Sequence, residues 1–155
     1  VPTYANKTEV NSDRSLAEIK RILTRYGADA FMYGTRGHLA AVQFEVRGRR
    51  ILFRLELPNP ASPEFHASST GRVRRTPAQA HDLWEQACRQ RWRALALVVK
   101  AKLEAVEAGI SSFELEFLPY TVLPGGMTVG DWALPQIERA LETGTMPPML
   151  PMLSG

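Results

Sequence analysis

Cysteine is almost missing from this chain of 155 residues: Cys88 stands alone, so no disulfide can form within it and no cysteine pair is present to hold a metal. Histidine is scarce as well. His38, His66 and His81 offer no H-x-x-x-H ligand pair. Neither G-x-x-x-x-G-K-[ST] nor G-x-G-x-x-G occurs, which excludes the familiar phosphate loops of nucleotide-binding domains. The longest apolar run, residues 94–99, falls far short of the roughly 20 residues needed to cross a bilayer. No basic start leads into an apolar signal segment, and a cytoplasmic location is the expectation. No nucleophile can be paired with a base, and Glu114 and Glu116 have no pairing signature with other carboxylates. The reading is therefore a chain without catalytic residues, cofactor or metal.

What is present is one long amphipathic pattern. Trp84, Cys88, Trp92, Leu95, Val99, Leu103 and Val106 recur at spacings of four and three, the period of one helical stripe, while Arg89, Arg93 and Lys100 fall on another face. Thr76, Pro77 and Gln79 supply an N-cap, a first helical residue and a capping box, and Gly109 supplies the left-handed stop. A helix over 76–109 is predicted. Cys88, on the apolar stripe, is expected to be a buried and inert thiol.

Upstream, Val1 to Asn11 reads as a flexible polar arm. Ser15 to Glu18 reads as a capping box that opens a helix carrying Leu16, Ile19, Leu23 and Tyr26 on one side and ending at Gly27. Residues 30–33, 40–46 and 51–57 alternate or are short and aromatic, with turns at Thr35-Arg36-Gly37 and at Gly48, so they predict a three-stranded antiparallel meander. Arg47, Arg50 and Arg54 are expected on its solvated side. The stretch 58–75 is longer than most loops, hence either functional or mobile, and ends in Arg72, Arg74 and Arg75. A small hairpin around Pro124-Gly125-Gly126 and a helix over 129–141 follow. The tail from Met146 has three prolines among Met149, Leu150, Met152 and Leu153, which suits an extended segment in a groove.

The fold class expected is thus α+β, in a single domain divided into 1–11 arm, 12–57 helix plus meander, 58–75 basic loop, 76–109 long helix, 110–145 acidic hairpin and helix, and 146–155 tail. Charge is divided unevenly along it. Residues 1–109 hold 18 Lys/Arg against 11 Asp/Glu, whereas residues 110–155 hold Arg139 against five carboxylates. A basic part of this kind fits a polyanion, or two oppositely charged parts simply pack together. Candidate nucleic-acid contacts are Arg47, Arg49, Arg50, Arg54, Arg72, Arg74, Arg75, Arg89, Arg93 and Lys100, because the guanidinium fork pairs with phosphate. Against this, Glu85 with Arg89 and Lys100 with Glu104 are spaced as ordinary exposed helix pairs. Tyr4, Tyr33 and Phe65 are the candidate stacking groups.

The segments Arg25-Tyr26-Gly27-Ala28, Arg91-Trp92-Arg93-Ala94-Leu95, Lys100 to Ala105 and Val129-Gly130-Asp131-Trp132, in this order, resemble a group of uncharacterised phage and prophage proteins over most of the chain. That resemblance implies a mobile-element context and carries no site residue. The order helix, three strands, helix also resembles the double-stranded-RNA-binding domain, whose lysine-rich helix start has no counterpart in Thr76-Pro77-Ala78-Gln79. The leading expectation is a phage-type accessory protein binding nucleic acid, DNA rather than RNA, without catalysis. The alternative is a protein-interaction module, an inhibitor or adaptor of a host or phage enzyme, using the long helix and Met149, Leu150, Met152 and Leu153. A homodimer fits either.

Overall fold

The computed structural model describes the backbone of residues 3–146 and the side chains from Arg14 to Met146. In order these form α1 (Thr3–Arg25), β1 (Ala30–Arg36), β2 (Leu39–Val46), β3 (Arg49–Glu56), a one-turn α2 (Pro63–His66), α3 (Pro77–Glu107), a short α4 (Phe113–Glu116), a 3-10 turn at Leu118–Tyr120, and α5 (Val129–Thr143). The α+β class and the expected order of elements hold.

The strands pair antiparallel in the order β1-β2-β3. Alternation then decides the faces. Val42, Phe44 and Val46 of β2 and Ile51 and Phe53 of β3 are buried on one side, and Leu16, Ile19 and Leu23 of α1 and Trp92, Leu95, Val99 and Leu103 of α3 close over them as one core. Phe117 joins this core, meeting Phe44 and Phe53 edge to face. Among the described residues no helix packs across the other side of the sheet, which carries Met32, Arg50 and Arg54. Beside β3 the chain returns at Thr121, which bridges to Ile51, and Val122 N–H donates to the Arg50 carbonyl at 2.8 Å.

α3 runs for 31 residues, about 46 Å at 1.5 Å per residue. The Thr76 and Gln79 capping box is made in both directions. At the far end Gly109, with φ +75°, lets its own N–H reach Val106 and that of Ile110 reach Ala105, which satisfies two end carbonyls. The stripe is buried as read at Cys88, Trp92, Leu95, Val99 and Leu103. One residue departs from it. Glu85 is only 4% exposed, not the surface partner expected for Arg89, because it lies one position from the stripe and its carboxylate meets His81 Nε2 at 3.0 Å.

Two further expectations need correction. The first helix does not open at Ser15 but begins at Thr3, so residues 3–11, read as an arm, have helical backbone. Thr3 to Arg14 contains no proline or glycine, and a helix held by Leu16, Ile19 and Leu23 extends through such a segment at one hydrogen bond per residue. The stretch 58–75 is no loose loop. Phe65 is buried, the Trp84 indole N–H donates to the Pro58 carbonyl at 2.7 Å, and Arg75 Nη1 donates to the carbonyls of Glu64 and Ala67 at 2.8 and 2.7 Å.

The hairpin near Pro124 is present as a single bridge, Val122 to Thr128. Thr128 and Asp131 then form a capping box that starts α5. A Cβ at position 130 would stand 3.0 Å from the Pro119 carbonyl oxygen, so glycine there lets the first turn of α5 lie against the 3-10 turn. No residue of α5 is buried.

Candidate functional site

The ten basic candidates do not form one surface. Arg47 sits in the β2-β3 turn with φ +53°, followed by Gly48 at +74°, rather than on the solvated face of the sheet with Arg50 and Arg54. Both central residues of this two-residue turn therefore take the left-handed conformation that matches strand twist. The three arginines of β3 have carboxylate partners. Arg49 reaches Glu114 at 3.8 Å and Arg50 reaches Glu45 at 3.2 Å. Arg54 forms a two-pronged contact with Asp131, Nη1 to Oδ1 at 2.9 Å and Nη2 to Oδ2 at 2.7 Å. That contact, with the Thr128 hydroxyl beside it, holds the Asp131 carboxyl down at about 2. Fork-to-carboxylate pairing of this kind occupies the geometry a phosphate would use.

Loop arginines divide in the same way. Arg75 is half-buried, and its Nη1 donates to two backbone carbonyls of its own loop, which makes it a strut of that loop. Arg72 and Arg74 point outward on the far arm of that loop. Phe65 is buried and cannot stack on a base, while Tyr33 stands edge-on to Trp92 with ring centroids 5.6 Å apart. Tyr4 lies outside the side chains described, as do Met149, Leu150, Met152 and Leu153.

The helical layer is different. α1 and α3 run side by side in the same direction, since Arg14 and Glu18 share a groove with Arg89 and Arg93 at one end, and the Tyr26 hydroxyl donates to the Glu107 carboxylate at the other. That groove encloses about 490 Å³ and is lined by Arg14, Ser15, Glu18, Gln86, Arg89, Gln90 and Arg93. Over residues 14–25 and 86–100 the two helices carry eight Lys/Arg, and Glu18 is the one carboxylate on their solvated positions. Arg89 leans towards the buried Glu85 at 3.9 Å, a long contact that leaves its side chain 40% exposed. Among the described residues Lys100 and Glu104 do not form the ion pair their spacing suggested, and Lys100 is exposed.

Arg14, Gln86 and Gln90 were missed by pattern reading. A signal for them existed: Arg14, Glu18, Arg21 and Arg25 recur along one side of α1, opposite Leu16, Ile19 and Leu23. What was absent from the linear sequence was the parallel pairing of two helices some seventy residues apart. Cys88 is buried among apolar neighbours, and this burial together with Glu85 raises its thiol to about 11, far from a reactive thiolate. No three His, Cys, Asp or Glu side chains among the described residues are placed to hold a metal ion. No helix among the described residues is long and apolar enough to cross a membrane. Compared with known proteins, the chain matches no family model, no curated protein and no solved structure.

Proposed function

We propose that this chain is a phage-type accessory protein that binds nucleic acid without catalysis, through phosphate contacts centred on the groove between α1 and α3. The observation that carries the reading is the convergence of Arg14, Arg89 and Arg93 on one groove in which Glu18 is the sole carboxylate. Gln86 and Gln90 add neutral donors that suit phosphate oxygens. The groove has no stacking platform, because Trp92 is turned into the core, so recognition is by backbone charge and not by base.

Binding of fluorescent single- and double-stranded DNA and RNA, followed by anisotropy over a range of salt, tests this. Affinity is expected to fall linearly with salt on a double-logarithmic plot and to vary little with sequence, with DNA preferred. Each of Arg14→Gln and Arg93→Gln should flatten the slope by about one. Absence of binding to every one of these probes at low salt ends the proposal. A protein-interaction module is the second reading, favoured by the apolar side chains that α5 leaves in solvent: Trp132 is 56% exposed and Leu141 79%.

A further inference from the structure

Gly34 lies inside β1, where glycine weakens a strand and supplies no side chain to pack. The fold itself does not require it. Its φ is outside the left-handed region, and a Cβ built there would meet no atom within 4 Å. What glycine provides at this position is open space above bare backbone. Register sets Gly34 beside Ala41 of β2, and Ala41 beside Arg54 of β3, on the sheet face away from α1 and α3. Arg36 and Leu39 form the next row towards the β1-β2 turn, and Leu52 stands in the row behind. These six line a depression of about 380 Å³ with an apolar floor, near the lower end of the roughly 300–1,000 Å³ usual for small-molecule sites. Among the described residues its lining holds two guanidinium groups and no carboxylate. Arg54 is committed to Asp131 through both terminal nitrogens. Arg36 is exposed and makes no ion pair among the described residues.

We propose that this depression binds a small aromatic carboxylate, with the ring laid over Gly34 and Ala41 and the carboxylate held by Arg36. A cross-strand aromatic side chain can shield an edge-strand glycine from water, but the neighbour here is Ala41, whose methyl group is too small to do so. A ligand ring supplies the missing cover, with Leu39 and Leu52 against its edges. Gly34 and Arg36 are two residues apart on one face, about 6.6 Å along the strand, within reach of a ring that carries a short carboxylate arm. The guanidinium fork of Arg36 can take both oxygens of that group. At the other side Asp131 already neutralises Arg54, so the uncompensated positive charge lies at Arg36 and orients the ligand.

Titration of the isotope-labelled full-length chain with 3-phenylpropionate, read from backbone amide shifts, tests the proposal. Saturable shifts are expected at Gly34, Thr35 and Ala41. Arg36→Gln should weaken binding by at least about tenfold, as should replacing the probe by 3-phenylpropionamide, because each removes one charge of the pair. Gly34→Val should fill the depression and abolish binding without lowering the melting temperature, since its Cβ meets nothing in the fold. If Gly34→Val does lower it, Gly34→Ala replaces that variant and should weaken binding severalfold at unchanged stability. Octanoate, which has the charge without the ring, should bind more weakly than 3-phenylpropionate. Arg93→Gln, in the groove between α1 and α3, should bind 3-phenylpropionate as the wild type does, so this site and the nucleic-acid reading stand or fall separately. Absence of saturable shifts, or binding indifferent to Arg36→Gln or to filling at position 34, overturns the proposal. Equal affinity for octanoate overturns the role of the ring. A peptide ending in a free phenylalanine carboxylate that binds tighter than 3-phenylpropionate makes a protein terminus the occupant and overturns the small-molecule assignment.

Discussion

Asp131 does three jobs with one carboxylate: it accepts from the Thr128 backbone in the capping box, complements the N-terminus of α5, and ties that helix to β3 through Arg54. Its carboxyl is held at about 2, against 3.8 without these partners. A lowered folded value means that the tie stabilises fully above the unfolded value and is lost as pH falls through the folded one. The melting-temperature difference between the wild type and Asp131→Asn should therefore be constant above about pH 4 and close towards about pH 2. A difference that persists unchanged at the acid end would assign the effect to the cap rather than the charge. Trp92 and Arg93 make a second contrast, one residue apart on α3. Trp92→Ala should cost about 3–5 kcal/mol, because the indole is 1% exposed in the core, and Arg93→Ala less than about 0.5 kcal/mol. Chemical denaturation reads both. Similar costs would mean that Arg93 supports the fold, and its loss could no longer be used to test binding.

Elements were legible in the sequence wherever one local rule decided them. The α3 cap, its apolar stripe and its glycine stop are written within a few residues of one another, and the alternation of β2 and β3 states which face is buried. What pattern could not supply was long-range partnership. Arg72, Arg74 and Arg75 look alike in sequence, yet only Arg75 finds two backbone carbonyls eight and eleven residues back and becomes the strut of its loop. Glu85 reads as a surface residue because its spacing to Arg89 is ideal, yet it is buried, and its carboxylate meets His81 four residues back on the same helix. The same gap concealed the groove, since Arg14 gains meaning only beside Arg93. The strut has a consequence that can be measured. Arg75→Met keeps the aliphatic stem and removes the donors, leaving a part-buried carbonyl at Ala67 without its partner. Chymotryptic cleavage after Phe65, shielded while that ring is buried, should then accelerate severalfold with nucleic-acid affinity unchanged. Cleavage at the wild-type rate would show that the Trp84 and Phe65 contacts hold the loop without Arg75.

Across the whole molecule, the uneven charge of the chain resolves into two surfaces of different character. Three of the five carboxylates beyond residue 109 are engaged with the basic part: Glu114 with Arg49, Asp131 with Arg54, and Glu116 with Lys102 at 3.6 Å. These contacts join the acidic segment to β3 and α3, so much of the asymmetry is internal pairing and not an open polyanion face. Exposed pairs of this kind contribute little stability each, but they do neutralise the sheet arginines towards a ligand. Between residues 14–25 of α1 and 86–100 of α3 the eight Lys/Arg face one carboxylate, Glu18, with the buried Glu85 beside Arg89; the other carboxylates of α3, Asp82, Glu104 and Glu107, lie beyond that stretch. Net charge alone therefore predicts equal losses from equal changes on either surface, whereas a groove predicts unequal ones. The double variant Arg14→Glu, Arg93→Glu and the double variant Arg50→Glu, Arg54→Glu change net charge by the same amount. The first should abolish nucleic-acid binding at physiological salt, while the second should weaken it less than about threefold, in line with the modest long-range share of a screened charge. Both must keep their cooperative melting for the comparison to count. Equal losses in the two variants would mean that binding follows the overall field of the protein, and the groove between α1 and α3 would then have no special part in it.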